Sequence, residues 1–332
     1  MGWDAYNYFP NGTTVGAVRT YLKLGHFVEY PRQRRDKETL ATFFYYNNID
    51  YKSISDLQAT LGIDSDTKLL VLRTHSTLWR SKFDTDFHNR TIRELKQLLG
   101  GYFTTDEGRN RYFTFEGPVR EYAEGGVFLA HLKFKQNIDR GKLLIKNLSV
   151  ATGHFPALSI HPTIDAYNPR VVASNLLVPF LVATMEDFFR SSYIALLRYS
   201  DKKSQIIKNA QLKSSDMTAL ISGEADLIDV VARWMNFQDL KKASEAFKGL
   251  NNKHDIHGVL NRPYGRRKAS LWDSLTALIK QRHLLIHDAQ VRADYSLANI
   301  DRDTNTCATA IWKVYQHIAI ANAWSRVEKS EF

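Results

Sequence analysis

The spacing of apolar positions changes several times across residues 1–150, which predicts a mixture of strands and helices. Residues 68–72 form a short apolar run typical of a strand. Residues 87–99 carry leucine and isoleucine at helical intervals, and two aromatic segments within 102–115 flank a polar turn, as in a hairpin. In residues 128–135 apolar side chains alternate along the chain, which predicts a half-buried strand. We therefore expect an α+β domain over residues 1–150.

The second half of the chain has a different pattern. Residues 151–170 contain three prolines and predict a linker between domains. Beyond it, apolar residues recur at helical spacing, and Ser270 with Asp273 forms the pattern of a capping box that opens a helix. The helical stripes lie within residues 181–196, 220–234, 237–250, 271–279 and 311–321. This pattern predicts an all-α bundle over residues 171–330.

Composition limits the class of protein. The chain has 332 residues, of which 44% are hydrophobic and 24% charged, as in a globular protein of about two domains. Cys307 is the single cysteine, which excludes an internal disulfide and a cysteine-based zinc site. The longest apolar stretch, residues 176–185, is about half of what spans a bilayer, and the first residues lack the features of a signal peptide. We expect a cytoplasmic protein that does not enter a membrane.

The charge balance indicates a polyanionic partner. There are 45 Lys and Arg against 35 Asp and Glu, a formal net charge of +10. Basic residues with an aromatic between them can contact phosphates and stack on a base. One such loop precedes the helix that begins after Ser270, and it predicts RNA contacts from Arg262, Tyr264, Arg266, Arg267 and Lys268. The alternative for this loop is a solvated connector, because charge runs usually just face water.

The most informative stretch is the segment from Arg282 to His287. These two residues stand in an R-x4-H relation, with the polar His283 in second position. A histidine exchanges a proton near neutral pH, and an arginine places two donors on a phosphate. Together they suffice for attack by an RNA 2′-hydroxyl on the neighbouring phosphate. The two side chains point roughly 140° apart on a regular helix, so either a site shared by two copies or a helix that frays or kinks at the motif is needed.

The C-terminal half resembles the HEPN superfamily. The resemblance lies in a leucine-rich helix with Met185, Glu186, Asp187 and Phe188, and in a later helix carrying Arg282-His283-Leu284-Leu285-Ile286-His287. The family signature is Arg, a polar residue, three further residues and His, and this segment matches it without a gap. Residues 1–150 resemble no family that we can name.

The resemblance implies a metal-independent endoribonuclease that dimerises and leaves 2′,3′-cyclic phosphate ends. Arg282, His283 and His287 would then be catalytic, with neither a metal nor a cofactor. By the same analogy the protein is expected to be a toxin, an antiviral (phage) defence effector or an RNA-processing enzyme, with an antitoxin or regulator as a further partner. The N-terminal domain would recognise RNA or a trigger, and the basic segments 32–37 and 79–82 are its candidate contacts.

Several alternatives remain open from the sequence. The first is a HEPN-like module that binds RNA, a nucleotide or a protein without chemistry. A second is a basic DNA-binding regulator, although no convincing helix-turn-helix pattern is present. His283 and His287 have the i, i+4 spacing of a metal pair, but the glutamate of a metalloprotease motif is missing. His254 and His257 form another cluster, for which the surrounding Asn and Lys residues favour a solvated loop over a metal site.

Overall fold

The computed structural model describes residues 2–30, 39–46, 49–151, 162–165, 167–210, 212–263 and 269–324. The chain divides into two compact units, Met1–Gly125 and Gly126–Phe332. An α+β first part is followed by a mostly helical second part, as predicted. The division lies at Gly125, whereas the sequence predicts a boundary at 150, and residues 152–161 of the predicted linker over 151–170 lie outside the described residues.

The first unit is built on one antiparallel sheet of seven strands. Their order across the sheet is β2-β3-β4-β5-β1-β6-β7. The strands are β1 (Gly2–Tyr8), β2 (Val28–Tyr30), β3 (Thr39–Tyr45), β4 (Leu57–Ile63), β5 (Leu70–Thr77), β6 (Tyr102–Thr105) and β7 (Gly108–Arg109). Buried and more exposed positions alternate along β4 and β5, so one face of the sheet carries the core.

Two helices cover that face, α1 (Val15–Leu24) and α2 (Lys82–Leu99). Ser81 caps the N-terminus of helix α2, and its hydroxyl accepts a hydrogen bond from the backbone N–H of Asp84. The buried Asp84 carboxylate in turn accepts hydrogen bonds from the backbone N–H groups of Ile54 and Ser55, both at 3.1 Å. This carboxylate therefore joins the loop before β4 to the start of α2.

The buried polar side chains of the first unit include His88 and Arg80. His88 on α2 is fully buried, with Nε2 at 2.8 Å from the Thr74 hydroxyl. The guanidinium of Arg80 lies 3.8 Å from the ring centroid of Trp3 and 5.2 Å from that of Phe113. Arg80 is only 7% exposed. The hypothesis that residues 79–82 form a surface for RNA or a trigger is thus wrong for Arg80, and residues 32–37 lie outside the described part of the chain.

The strand predicted at 68–72 is confirmed as the start of β5, and the helix predicted at 87–99 is confirmed as the larger part of α2. The hairpin is confirmed at its turn but is shorter than predicted, because β7 ends at Arg109 and residues 112–115 form no strand.

The second unit is helical. Its elements, in chain order, are α3 (Tyr122–Ala151, whose first turn belongs to the first unit), α4 (Pro162–Asp165), α5 (Pro169–Arg198), α6 (Lys203–Asn209), α7 (Ser214–Ile221), α8 (Leu227–Arg233), α9 (Leu240–Leu250), α10 (Ile256–Leu260), α11 (Leu271–His287) and α12 (Leu297–Ala321). The stripe predicted over 220–234 is split between α7 and α8 at Gly223, which has φ +73°.

The strand predicted at 128–135 is wrong, since these residues lie in the 30-residue helix α3. The buried positions of α3 follow helical spacing, but two of them are His131 and Gly141. Histidine and glycine do not count as apolar residues, so they interrupt the helical pattern of apolar positions. The alternation of apolar residues from Phe128 to Phe134 then predicts a strand instead.

Helix α5 forms the centre of the second unit, with contacts to α8, α9, α11 and α12. Within the described residues it is the one helix long and apolar enough to cross a membrane, and 56% of that stretch is buried in the structure. Its buried side chains include Leu181, Met185 and Phe188, a stripe that was predicted and is confirmed. A helix in the core of a folded domain also meets these two criteria, length and hydropathy, so they do not identify α5 as a membrane span.

Candidate functional site

Helix α11 carries the R-x4-H motif on a firmly held scaffold. The predicted capping box is confirmed: Ser270 Oγ accepts from the Asp273 N–H at 3.0 Å, and the Asp273 carboxylate accepts from the Ser270 N–H at 3.3 Å. Leu271, Leu275 and Leu278 are buried and pack α11 against its neighbours α5 and α12. The helix ends with the motif, because its last residue is His287.

Arg282 is the inward-facing member of the motif. Its side chain is 20% exposed, and its Nη1 lies 3.9 Å from Oε1 of Glu186 on α5, whose side chain is 13% exposed. Neither Arg282 Nε nor Glu186 Oε1 has a hydrogen-bond partner among the described residues. Burial raises the pKa of the Glu186 carboxyl, and the nearby Arg282 guanidinium opposes that rise only in part. The pair is thus a long, partly buried ion pair with unused hydrogen-bonding capacity on both sides.

The two histidines of the motif face outward. His283 and His287 are both exposed, one helical turn apart, and their ring centroids lie 4.4 Å from each other at an interplanar angle of 42°. Two imidazoles are therefore open to a ligand at the C-terminal end of α11.

Arg282 and His287 do not converge within one copy of the chain. Five helical residues separate their directions by roughly 140°. Arg282 points toward Glu186 on α5, whereas His287 is exposed. The divergence expected from the sequence is thus present, and a single phosphate cannot easily meet both groups of one copy.

Exposed apolar side chains accompany the histidines. Ile286 is 49% exposed on the last turn of α11, and Val291 is 40% exposed in the segment that follows. Ala289 between them has φ +51°, a left-handed conformation that turns the chain away from the helix. Apolar groups beside polar ones are typical of surfaces that contact another macromolecule.

The segment after α11 is fixed to α5 by contacts that the sequence did not predict. The Asn175 side chain accepts from the Arg292 N–H at 3.0 Å and donates to the Arg292 carbonyl oxygen at 3.0 Å. The Arg292 guanidinium donates to Gln281 at 3.3 Å and pairs with Asp294 at 2.8 Å. No pattern in the sequence indicates a bond between residues 117 positions apart.

An open cleft of about 630 Å³ lies between α11 and α12. Gln281, Arg292, Tyr295 and Asp303 are among the side chains that line it. Gln281 lies two residues before His283, and two helical residues point to nearly opposite sides. The cleft and the exposed histidines are therefore on different sides of α11.

The remaining predicted site residues precede α11. Arg262 is exposed after the end of α10. Tyr264, Arg266, Arg267 and Lys268 lie outside the described residues, so their predicted RNA contacts remain predictions.

The other histidine cluster is divided. His254 is buried, its Nε2 lies 2.9 Å from Asn322 Nδ2, and burial lowers its pKa to about 4. His257 is exposed and packs edge-on against Trp272. The interpretation of this segment as a solvated loop is wrong for His254. Across the described ranges, no three His, Cys, Asp or Glu side chains are grouped so as to hold a metal ion.

Comparison with known proteins gives no matching family model, no similar curated protein and no similar solved structure.

Proposed function

We propose that this protein is a metal-independent endoribonuclease of the HEPN type, whose active site is completed by pairing two copies of α11. The observation that carries the proposal is the R-x4-H segment at an exposed helix end, with both imidazoles open to solvent. The net charge of +10 supports a polyanionic substrate.

The proposed chemistry needs only a proton carrier and a cation. The RNA 2′-oxygen attacks the adjacent phosphorus while His287 accepts the hydroxyl proton. The bond from phosphorus to the 5′-oxygen breaks, and that oxygen takes a proton from the second copy's equivalent imidazole. The products are a 2′,3′-cyclic phosphate and a 5′-hydroxyl. Arg282 would stabilise the negative charge that builds on the phosphoryl oxygens. His283 would support the site by a hydrogen bond or a second phosphate contact.

Pairing two copies would bring Arg282 of one copy close to His287 of the other, which a single copy holds apart. A two-fold axis near the end of α11 places the guanidinium of one copy opposite the imidazole of the other. The exposed Ile286 and Val291 would then be covered by their symmetry equivalents, which gives the pairing an apolar contribution.

Incubation of the purified protein with total RNA and EDTA tests the proposal, with mapping of the cut ends. We expect cyclic phosphate ends, no effect of EDTA, and loss of cleavage in Arg282→Ala and in His287→Ala. His257→Ala is the matched control, because it removes another exposed imidazole from the same unit. Undiminished cleavage by a folded His287→Ala protein would refute the assignment.

A second candidate is a HEPN-like module that binds RNA, a nucleotide or a protein without cutting. The observation that favours it is the ion pair of Arg282 with Glu186, which gives the guanidinium a role inside the fold. Expression in bacteria separates the two candidates. A nuclease that acts as a toxin or defence effector should slow growth, and His287→Ala should relieve it, whereas equal and harmless expression of both forms favours binding alone.

A further inference from the structure

One face of the sheet in the first unit is distinct from the face that α1 and α2 cover. Asn7 donates to the carbonyl oxygen of Ile92 on α2 at 3.1 Å, and Thr74 bonds His88 on the same helix. Side chains alternate between the two faces of a strand. The neighbours of Asn7 and Thr74 along β1 and β5 therefore point away from α2.

The strand register places the side chains of this second face in a row across all seven strands. Each residue of the row is the paired neighbour of the next. In spatial order the row is Tyr30, Thr42, Thr60, Arg73, Tyr6, Thr104 and Arg109. The row thus combines two tyrosines and two arginines with small hydroxyl residues, and we call it and its adjoining residues on the same face the open face.

A column of planar groups stands on the open face. The rings of Tyr8 and Tyr102, paired across β1 and β6, are stacked with centroids 4.9 Å apart and an interplanar angle of 17°. The guanidinium of Arg109 lies over the Tyr102 ring at 4.0 Å. Aromatic rings and guanidinium planes are the groups on which unpaired bases stack.

Two arginines stand on the open face, and one of them is available to an anion. Arg73 is 51% exposed and donates to Asp4 at 2.8 Å, and His75 Nδ1 lies 3.1 Å from the same Asp4 oxygen. The Asp4 carboxylate is therefore already held by two neighbours. Arg109 is exposed, and its described contact is with a ring rather than with a carboxylate, so its donors are available to a phosphate.

We propose that the open face binds single-stranded RNA. Stacking requires bases whose faces are accessible, which a duplex does not offer on its outside. The stacked tyrosine rings and the arginine beside them match the bases and phosphates of one strand together. The assignment to a nucleic-acid single strand rests on this face alone, and the choice of RNA over DNA rests on the function proposed above.

Fluorescence anisotropy with the full chain tests the inference. The protein carries His287→Ala so that the labelled single-stranded RNA oligonucleotide stays intact. Tyr102→Ala should weaken binding at least fivefold, because it removes the middle ring of the column on which Tyr8 and Arg109 are stacked, whereas Tyr102→Phe should bind like the parent. Arg109→Ala should weaken binding and lower the slope of log affinity against log salt by about 0.7, the value for one phosphate contact on a single strand.

The controls lie on the helical side of the same unit. Arg93→Ala removes an exposed arginine from α2, and Tyr112→Ala removes an exposed tyrosine that packs on Phe103. Both should bind within twofold of the parent. Equal weakening by the controls and the open-face variants would overturn the inference, as would a parent that binds no oligonucleotide, or one that prefers duplex or the matched DNA strand.

The outcome is separable from that of the cleavage proposal. Cleavage is measured on the wild-type chain, and binding on the His287→Ala chain. A wild-type protein that leaves total RNA intact but binds single strands through Tyr102 would refute the nuclease and retain the open face. If the wild-type protein cuts RNA but Tyr102→Ala binds like the parent, the open face is refuted and the nuclease is retained.

Discussion

His88 makes the stability of the first unit dependent on pH. The imidazole is fully buried, with hydrogen-bond partners at 2.8 Å in Thr74 and 3.2 Å in Ser76. Burial, and to a smaller extent the charges of Arg80 and His75, lower its pKa from 6.5 to about 3. The folded protein therefore holds this side chain neutral over a range in which the unfolded chain protonates it.

The size of the effect follows from linkage. Above pH 6.5 the group is neutral in both states and costs nothing. As the pH falls from 6.5 toward 3, the unfolded state binds one proton more, and each pH unit removes about 1.4 kcal/mol of unfolding free energy. At pH 4.5 the first unit should have lost about 2.7 kcal/mol through His88, a large share of the stability of an ordinary domain.

Hydrogen exchange measured by mass spectrometry on peptides from β5 and α2 reports the opening free energy of this unit. His88→Gln keeps a polar partner for the two hydroxyls and removes the titration. We expect the protection of the wild-type protein to fall more steeply with acid than that of the variant, by about 1.4 kcal/mol per pH unit between pH 6 and 4. Parallel pH profiles of the two proteins would refute the reasoning.

Substitutions at four other positions have defined expectations. Asp84→Ala should destabilise the first unit by about 3 kcal/mol in urea unfolding, because four donors lose a buried carboxylate, and Asp84→Asn should cost less. Gly101→Ala should lower the melting temperature strongly, since φ is +86° and the added Cβ would collide with the carbonyl oxygen of Tyr8; a melting curve that matches wild type would contradict this. Asn175→Ala should cost about 2 kcal/mol through its two lost bonds to the backbone after α11, measured by thermal unfolding. Glu186→Gln should gain stability relative to wild type as the pH rises from 4 to 7, because a carboxyl whose pKa is raised by burial destabilises the fold when it ionises; a melting difference that is the same at both pH values would contradict this.

The parts of the fold that the sequence predicted are those determined by local chemistry. The capping box at Ser270 and the leucine stripe that follows it define α11 from nearby residues alone. Helix α3 is the counterexample, because its buried stripe contains His131, whose ring stacks on Tyr315 at 4.4 Å. Because His131 is buried by a residue 184 positions away, the neighbouring sequence does not indicate that it belongs to the buried face of a helix.

The division at Gly125 leaves no signal in the sequence for a related reason. Residues 151–170 are rich in proline, yet the first unit ends at Gly125, inside a region that reads as continuous structure. Helix α3 starts at Tyr122, before that point, and continues beyond it. A helix that runs through a boundary leaves no break in composition, so a search for linkers cannot find it.

The candidate site shows the same division between local and long-range information. The sequence alone indicated Arg282 and His287 as candidates and predicted that their side chains point apart on α11. The structure adds what each side chain faces. Arg282 points to Glu186, 96 positions earlier in the chain, and its Nε has no hydrogen-bond partner among the described residues. His287 stands at the exposed end of the helix beside His283 and the apolar Ile286.

An intramolecular site would require α11 to unwind by at least a turn, which breaks the hydrogen bonds from Asp288 and Gln290 to the carbonyl oxygen of Leu284. Pairing of two intact helices keeps those bonds and buries apolar surface as well. A disulfide introduced by Ile286→Cys in a chain with Cys307→Ser distinguishes these routes. Oxidation should give a covalent dimer that retains cleavage if two copies share the site, whereas a dimer that loses cleavage while the reduced chain keeps it would favour a site within one copy.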